Sequence, residues 1–303
     1  MRVIKAVLII GGSGFLGTHL AQKLRQGYKV FATYHKNRFS LPGVTFLPVN
    51  LANRNWIRRV LIMARPDVIV YLAGKNDPNW VEKNSPWAEH VHAIGPAILS
   101  GLTDILQPRF IYVSNSYVFD GSKGNYHEVD TVLPECTLGR VKLNGENVVK
   151  SKCLNYIILR SSPLLGRGNG INFSFFDRMR MSLDRKIRFV ANNQELHSYG
   201  LVDGFCDVIQ RLIESGVKNR VIHYGGLTKI TEYELAREFS KRFKYDPALV
   251  SVSDRPNKKS AKNSLSQLDF SLNSSEAVEI LEAKPLLLEQ CFDLIEKQLV
   301  FSS

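Results

Sequence analysis

Three glycines spaced Gly12-x-Gly14-x-x-Gly17, with Gly11 directly before them, lie in "AVLIIGGSGFLGTHLAQKL", residues 6–24. Glycines at this spacing make a tight turn, let a pyrophosphate approach the backbone, and let a helix pack closely on a strand. The loop leaves an apolar run and enters a segment with Phe15, Leu16, Leu20 and Leu24 on one side. An anion bound there would sit at a helix N-terminus, where unpaired N–H groups and the macrodipole favour it. The next apolar run ends in "TYHKNR", residues 33–38. An acidic residue at that point would take a free ribose 2′-hydroxyl, whereas His35, Lys36 and Arg38 suit a 2′-phosphate. The residues therefore predict an NADP(H) site. The competing reading is that these cations are solvated surface charge.

Other chemistries find no support. His90 and His92 are two apart on a helix and face different sides, so they make poor metal partners. There is no H-x-x-x-H and no G-x-S-x-G, and no metal site is expected. Cys136, Cys153, Cys206 and Cys291 form no CxxC pair and read as buried or free thiols of a reducing cytoplasm. No apolar run approaches the ~20 residues of a membrane span, so no membrane is expected. "MRVIKAVLIIGG" has the basic-then-apolar order of a secretory leader, but its apolar block is short and runs into the glycine turn. It reads as a buried first strand.

The net charge of +12 raises nucleic acid as a partner. Lys and Arg are spread along the chain, and the aromatic-studded RNA motifs are missing, so no nucleic acid is expected. A basic surface, or attraction for an anionic pyrophosphate-linked small molecule, remains.

The elements that must position these residues follow from apolar runs at 6–10, 28–34, 44–49, 67–74, 110–115 and 156–162. Continuous Val, Ile and Leu runs are strands buried on both faces. Separated by helical periodicity, they predict an α/β fold with a Rossmann-like, doubly wound parallel sheet. After residue 162 the rhythm changes. A basic amphipathic stretch, "DRMRMSLDRKIR" (177–188), is followed by a strand-like "IRFV" (187–190). "RVIHYGG" (220–226) is another short strand, and "TEYELAREFSKRF" (231–243) opens on a capping box. "SDRPNKKSAKNS" (253–264) reads as a surface loop. Residues 1–162 are expected to form the NADP(H)-binding domain, and 163–303 a smaller α/β substrate lobe partly interwoven with it.

"GGSGFLG" (11–17), "RPDVIVYLAG" (65–74), "VSNSYVFDGSKGNYHEVD" (113–130), "GRVKLNGENVV" (139–149) and "ILRSS" (158–162) together carry a family resemblance. The chain resembles the extended short-chain dehydrogenase/reductases, and among them the dTDP-4-dehydrorhamnose reductase group with its methionine adenosyltransferase regulatory relatives. The similarity spans most of the chain and weakens after about residue 230. It implies a nucleotide-sugar lobe, with catalysis in the cleft between lobe and sheet. It also implies cofactor contacts from Gly11, Ser13, Gly14, Phe15, Leu16 and Gly17, from Asn50 and Leu51, and from Leu72, Ala73 and Gly74.

Members of the group reduce a 4-keto sugar with hydride from the nicotinamide. A tyrosine gives the proton, and a lysine four residues later holds the ribose. A Ser or Thr orients the carbonyl, and an asparagine completes a proton relay. By this resemblance Lys142 is the lysine, but Leu138 stands at the tyrosine position, Asn115 at the Ser/Thr position and His92 at the asparagine position. A missing general acid costs roughly 10²–10⁴-fold. Tyr117, Tyr126 and His127 are candidate substitute donors, with His92 in the relay. Arg178, Arg180 and Arg188 are candidates for substrate phosphates, or a solvated face. Two functions stay open: a nucleotide-sugar reductase with weak or no turnover, and a non-catalytic cofactor-binding subunit with a regulatory or scaffolding role. The second leaves room for a homodimer or another protein partner.

Overall fold

The computed structural model describes residues 6–103, 107–253 and 267–300. Its centre is a seven-stranded sheet: β1 (Ala6–Ile10), β2 (Lys29–Tyr34), β3 (Val44–Pro48), β4 (Val68–Tyr71), β5 (Arg109–Asn115), β6 (Tyr156–Ser161) and β11 (Arg220–Tyr224). The order is β11-β6-β5-β4-β1-β2-β3, and every neighbouring pair is parallel. This is the doubly wound α/β sheet that the apolar runs predict.

Burial explains why those runs do not alternate with polar residues. Val7, Ile9, Val68, Val70, Ile111 and Leu159 face one side, where they meet α1 (Phe15–Leu24) and α8 (Val202–Glu214). Leu8, Ile10, Ile69, Tyr71, Phe110 and Ile158 face the other, against α2 (Arg54–Ala64), α5 (Gly95–Leu102) and α6 (Thr137–Lys152). Successive residues of a strand point to opposite faces, so helices on both faces require apolar residues at every position. Two short helices, α3 (Pro78–Lys83) and α4 (Ser85–Glu89), and a π-helical turn (His90–Ile94) lead into α5.

Beyond β6 the chain leaves the sheet and returns to it. β7 (Leu164–Leu165) pairs with β10 (Gly200–Leu201), and between them lie α7 (Phe175–Asp184), β8 (Phe189–Ala191) and β9 (Glu195–Ser198). Then α8 packs on α1, and β11 closes the sheet edge beside β6. The lobe resumes with β12 (Lys229–Thr231), α9 (Glu232–Arg242), β13 (Val250–Val252), β14 (Leu268–Asp269), α10 (Ser275–Leu281) and α11 (Leu288–Val300). Phe176, Met179, Leu235, Phe239, Phe292 and Ile295 form its core.

The "IRFV" strand is present one to two residues later, as β8, paired in parallel with β13. The capping box at Thr231 is present: Thr231 Oγ accepts from Glu234 N–H, and the Glu234 carboxylate accepts from Thr231 N–H. Residues 254–264 of the expected surface loop lie outside the described residues. No helix among the described residues is long and apolar enough to cross a membrane.

A buried ion pair fixes α6 against the sheet. Arg160 on β6 donates from Nε and Nη2 to both oxygens of Glu146 on α6, at 2.9 and 2.8 Å. Its Nη1 faces His223 Nε2 at 3.3 Å, and His223 Nδ1 lies 2.9 Å from the Tyr126 carbonyl. Burial, then the neighbouring guanidinium, depress His223 to about 3. It is therefore neutral at pH 7, with Nδ1–H donating to Tyr126 and Nε2 accepting from Arg160.

Candidate functional site

The glycine loop is held closely on three sides. Gly11 has φ +86°, and a Cβ there would lie 2.8 Å from the Ala73 backbone. A Cβ on Gly12 would meet the Ala32 Cβ at 2.5 Å, and one on Gly17 would meet the Gly11 carbonyl at 2.4 Å. Gly14 differs: its backbone is extended, and a Cβ would touch only the Gly11 carbonyl, at 3.3 Å. Thr33 on β2 pins the loop, accepting Gly11 N–H at Oγ1 (3.0 Å) and Ser13 N–H at its carbonyl (3.1 Å). α1 begins at Phe15 without a side-chain cap. Its first-turn N–H groups are thus available to an anion. The side chains of Phe15 and Leu16 pack on the core, so their contribution there is backbone.

A cavity of about 510 Å³ opens over this loop. Of the expected cofactor residues it is lined by Gly11, Ser13, Gly14, His35, Asn50, Leu51, Leu72, Ala73 and Gly74. Thr33, Tyr34, Val49, Ala52, Pro86, Trp87, His90, Val91 and Asn172 also line it and were not expected. Lys36 and Arg38 stand exposed just past β2, outside the lining. Gly17 packs beneath the loop.

On the α6 side the polar groups are buried. Lys142, 2% exposed, does not line the cavity; its Nζ donates to the Val113 carbonyl at 2.9 Å and lies 5.5 Å from the Tyr112 ring centre. His92 is fully buried against Gly74, where a Cβ would strike its ring at 2.0 Å. The π-helical turn delivers it there: Tyr71 and Tyr112 hydroxyls donate to the Val91 and His92 carbonyls. Burial, then the Lys142 charge, hold His92 well below its ordinary pKa, so it is neutral. Asn115 Oδ1 accepts from Tyr117 N–H. His92 Nδ1, Ser114 Oγ, Asn115 Nδ2 and Ser116 Oγ are buried without a partner among the described residues. Unsatisfied polar atoms are costly, and a cluster of them at the strand ends fits a polar ligand there.

Leu138 is fully buried, packed with Val81, Ala88 and Val141 under Trp80, Tyr117 and Cys136. Trp80 meets Trp87 edge to face, at 4.9 Å between ring centres, and the Lys75 ammonium lies over Trp80 at 4.8 Å. The position that resemblance gives to a proton donor is thus a small apolar core. Of the candidate substitutes, Tyr117 touches this core and donates its hydroxyl to Glu195 at 2.9 Å. Burial, then that carboxylate, push its pKa well up. Tyr126 is committed elsewhere, stacked on Phe119 and donating to Asp120, and His127 is exposed. Arg178 and Arg188 are exposed, Arg180 pairs with Asp184 at 3.8 Å, and none lines the cavity. No group of metal-ligating residues occurs among the described residues.

Burial also pulls Lys142 down to about 7, with Glu146 opposing the fall. An unfolded lysine titrates near 10.4. Between those values the unfolded chain carries one more proton than the native one, so this group's contribution to stability rises with pH and is most adverse at and below pH 7. Lys142→Met should therefore raise stability relative to wild type more at pH 6 than at pH 9, by a difference of about 3 kcal/mol. Denaturant unfolding at the two pH values checks this. An equal effect at both would place the lysine pKa near its ordinary value.

Residues 5–285 match the RmlD substrate binding domain family. The chain belongs to that family. It is 26% identical to the dTDP-4-dehydrorhamnose reductase of Mycobacterium tuberculosis over 277 residues, which cover 88% of this chain and 86% of the relative. It is equally 26% identical to methionine adenosyltransferase 2 subunit beta of Bos taurus over 267 residues, covering 83% and 76%. The crystal structure of a hypothetical dTDP-4-dehydrorhamnose reductase from Sulfolobus tokodaii superposes with a TM-score of 0.78 at 26% identity, over 94% of this chain and 98% of that one. The likeness to both groups, expected from the motifs, is therefore present over more than four fifths of the chain, and the fold is that of the extended short-chain dehydrogenase/reductases.

Proposed function

We propose that this protein binds a nicotinamide dinucleotide, NADP(H) in preference to NAD(H), and that its capacity for reducing a 4-keto nucleotide sugar is weak or lost. The observation that carries this reading is the contrast between an open glycine-loop cavity and a proton-donor position sealed as Leu138 in apolar packing. The loop would hold the pyrophosphate on the backbone of Gly12–Leu16, with the adenosine against Asn50 and Leu51. The partnerless polar atoms of Ser114, Asn115 and His92 would face the nicotinamide half. A bound reduced cofactor supplies hydride; beside it this chain places no phenol on α6, only Leu138 and a lysine turned to a backbone carbonyl.

The similarity to methionine adenosyltransferase 2 subunit beta supports the alternative in which the bound cofactor serves a regulatory or scaffolding role. Both readings require binding. Titration calorimetry with NADPH and NADH, followed by nicotinamide absorbance with a panel of dTDP-4-keto sugars, separates them from an active reductase. Failure to bind either cofactor would overturn the proposal.

Cofactor preference has its own test. Lys36 and Arg38 have no ion pair among the described residues and stand where β2 ends, beside His35 on the cavity wall. Replacing both by Ala should weaken NADPH by roughly tenfold and leave NADH unchanged, because the pyrophosphate site is untouched. Equal losses for the two cofactors would assign the cations to solvated surface.

A further inference from the structure

A segment from the lobe reaches the wall of the cavity. Residues 166–174, between β7 and α7, reach back over the glycine loop, where the side chains of Asn169 and Asn172 both donate to the Ser13 carbonyl, at 2.9 and 2.7 Å. Asn172 also accepts, at Oδ1, from Asn37 Nδ2 at 3.2 Å. It lines the cavity, and Asn169 does not.

This segment is built to stay in place. Asn169 Oδ1 accepts from the N–H groups of Ile171 and Asn172, an Asx turn that aims Asn172 back at the loop. The Asp177 carboxylate accepts from Gly168 and Ser174 N–H, and Ser174 Oγ donates to the Gly166 carbonyl. His19 on α1 lies 2.8 Å from the Arg167 carbonyl.

Asn37 stands between Lys36 and Arg38 at the end of β2, the place where a dinucleotide's adenosine ribose presents its 2′ position. Ser13 belongs to the loop that would hold the pyrophosphate. A side chain hydrogen-bonded to both residues borders the 2′ corner of the site. We propose that Asn172 is a specificity-determining residue of the dinucleotide site, contributed from the lobe and bordering the ribose 2′ substituent. The proposal rests on the dinucleotide reading above. As a neutral amide with both donor and acceptor, Asn172 tolerates the negative charge of a 2′-phosphate while closing the corner. A carboxylate in its place would repel that phosphate and would accept a hydrogen bond from a free 2′-hydroxyl.

The test uses the full chain and two variants. Asn172→Asp, nearly the same shape, also withdraws an amide donor from the Ser13 carbonyl, so it should weaken both cofactors, and NADPH at least about tenfold more than NADH. The NADPH loss should shrink as salt is added. Asn169→Ala removes one of the two amides on Ser13 without placing charge at the ribose corner. It should therefore weaken both cofactors by the same factor. Thermal unfolding of both variants establishes that they are folded. If Asn172→Asp weakens NADPH and NADH equally, or neither, the assignment is overturned, and Asn172 only closes the loop. Wild-type protein that binds no dinucleotide would instead overturn the dinucleotide reading itself.

Discussion

Gly14→Val should weaken binding of either nicotinamide cofactor at least about a hundredfold while the protein remains folded. Among the glycines of the loop, Gly14 is the one whose added Cβ the protein itself can tolerate. Its φ of −72° and ψ of 175° are open to any residue, and the single close neighbour is the Gly11 carbonyl at 3.3 Å. The branched side chain would enter the space over the α1 N-terminus, which the pyrophosphate needs. Gly17→Val is the contrasting case. Its Cβ would lie 2.4 Å from the Gly11 carbonyl and 2.6 Å from Gly12 Cα, backbone atoms that cannot step aside. That variant should unfold or express poorly. Calorimetric titration together with thermal melts of the two variants reads both effects. If Gly14→Val keeps wild-type affinity, the loop is a turn and nothing more.

Most of the sheet is legible because each of its strands is a local pattern. "AVLII" and "DVIVYLAG" are apolar at consecutive positions since helices cover both faces, and the strand–glycine–helix order around Gly14 sets the crossover. Thr231 and Glu234 likewise announce α9 from three residues apart. The candidate site is legible only where it is made of the ends of sheet strands. The cavity residues Gly11, Ser13, Asn50, Leu51, Ala73 and Gly74 fall at strand ends, which a doubly wound topology brings together. Asn172 meets Ser13 across 159 positions, a contact that leaves no trace in spacing. Trp87 and His90 reach the cavity through two short helices and a π-helical turn, whose irregular geometry no period reveals. The motif around Lys142 gives the lysine's helix face but not its burial. That burial is set by another segment, β5, where the lysine meets the Val113 carbonyl and the Tyr112 ring.

The wild-type protein should bind NADPH and yet reduce 4-keto nucleotide sugars roughly 10²–10⁴-fold more slowly than a member with an intact tyrosine, since hydride transfer without a proton donor leaves an alkoxide. Restoring the tyrosine alone should not repair this. Leu138 is enclosed by Val81, Ala88, Val141 and the rings of Trp80 and Tyr117, so a phenol there overfills the packing at a cost of about 1–3 kcal/mol. Its hydroxyl would also need Lys142, whose ammonium is committed to the Val113 carbonyl. Leu138→Tyr should therefore melt below wild type and gain little activity. Leu138→Tyr with Asn115→Thr should gain more, because donor and carbonyl anchor act as a unit and their effects are not additive. Single-turnover absorbance at the nicotinamide band, with thermal melts of each variant, measures both. Robust turnover by the wild type would sink this account and direct attention to Tyr117, which touches the Leu138 core and donates its hydroxyl to Glu195 at 2.9 Å. In that event Tyr117→Phe should abolish turnover and leave NADPH affinity intact, since Tyr117 does not line the dinucleotide cavity.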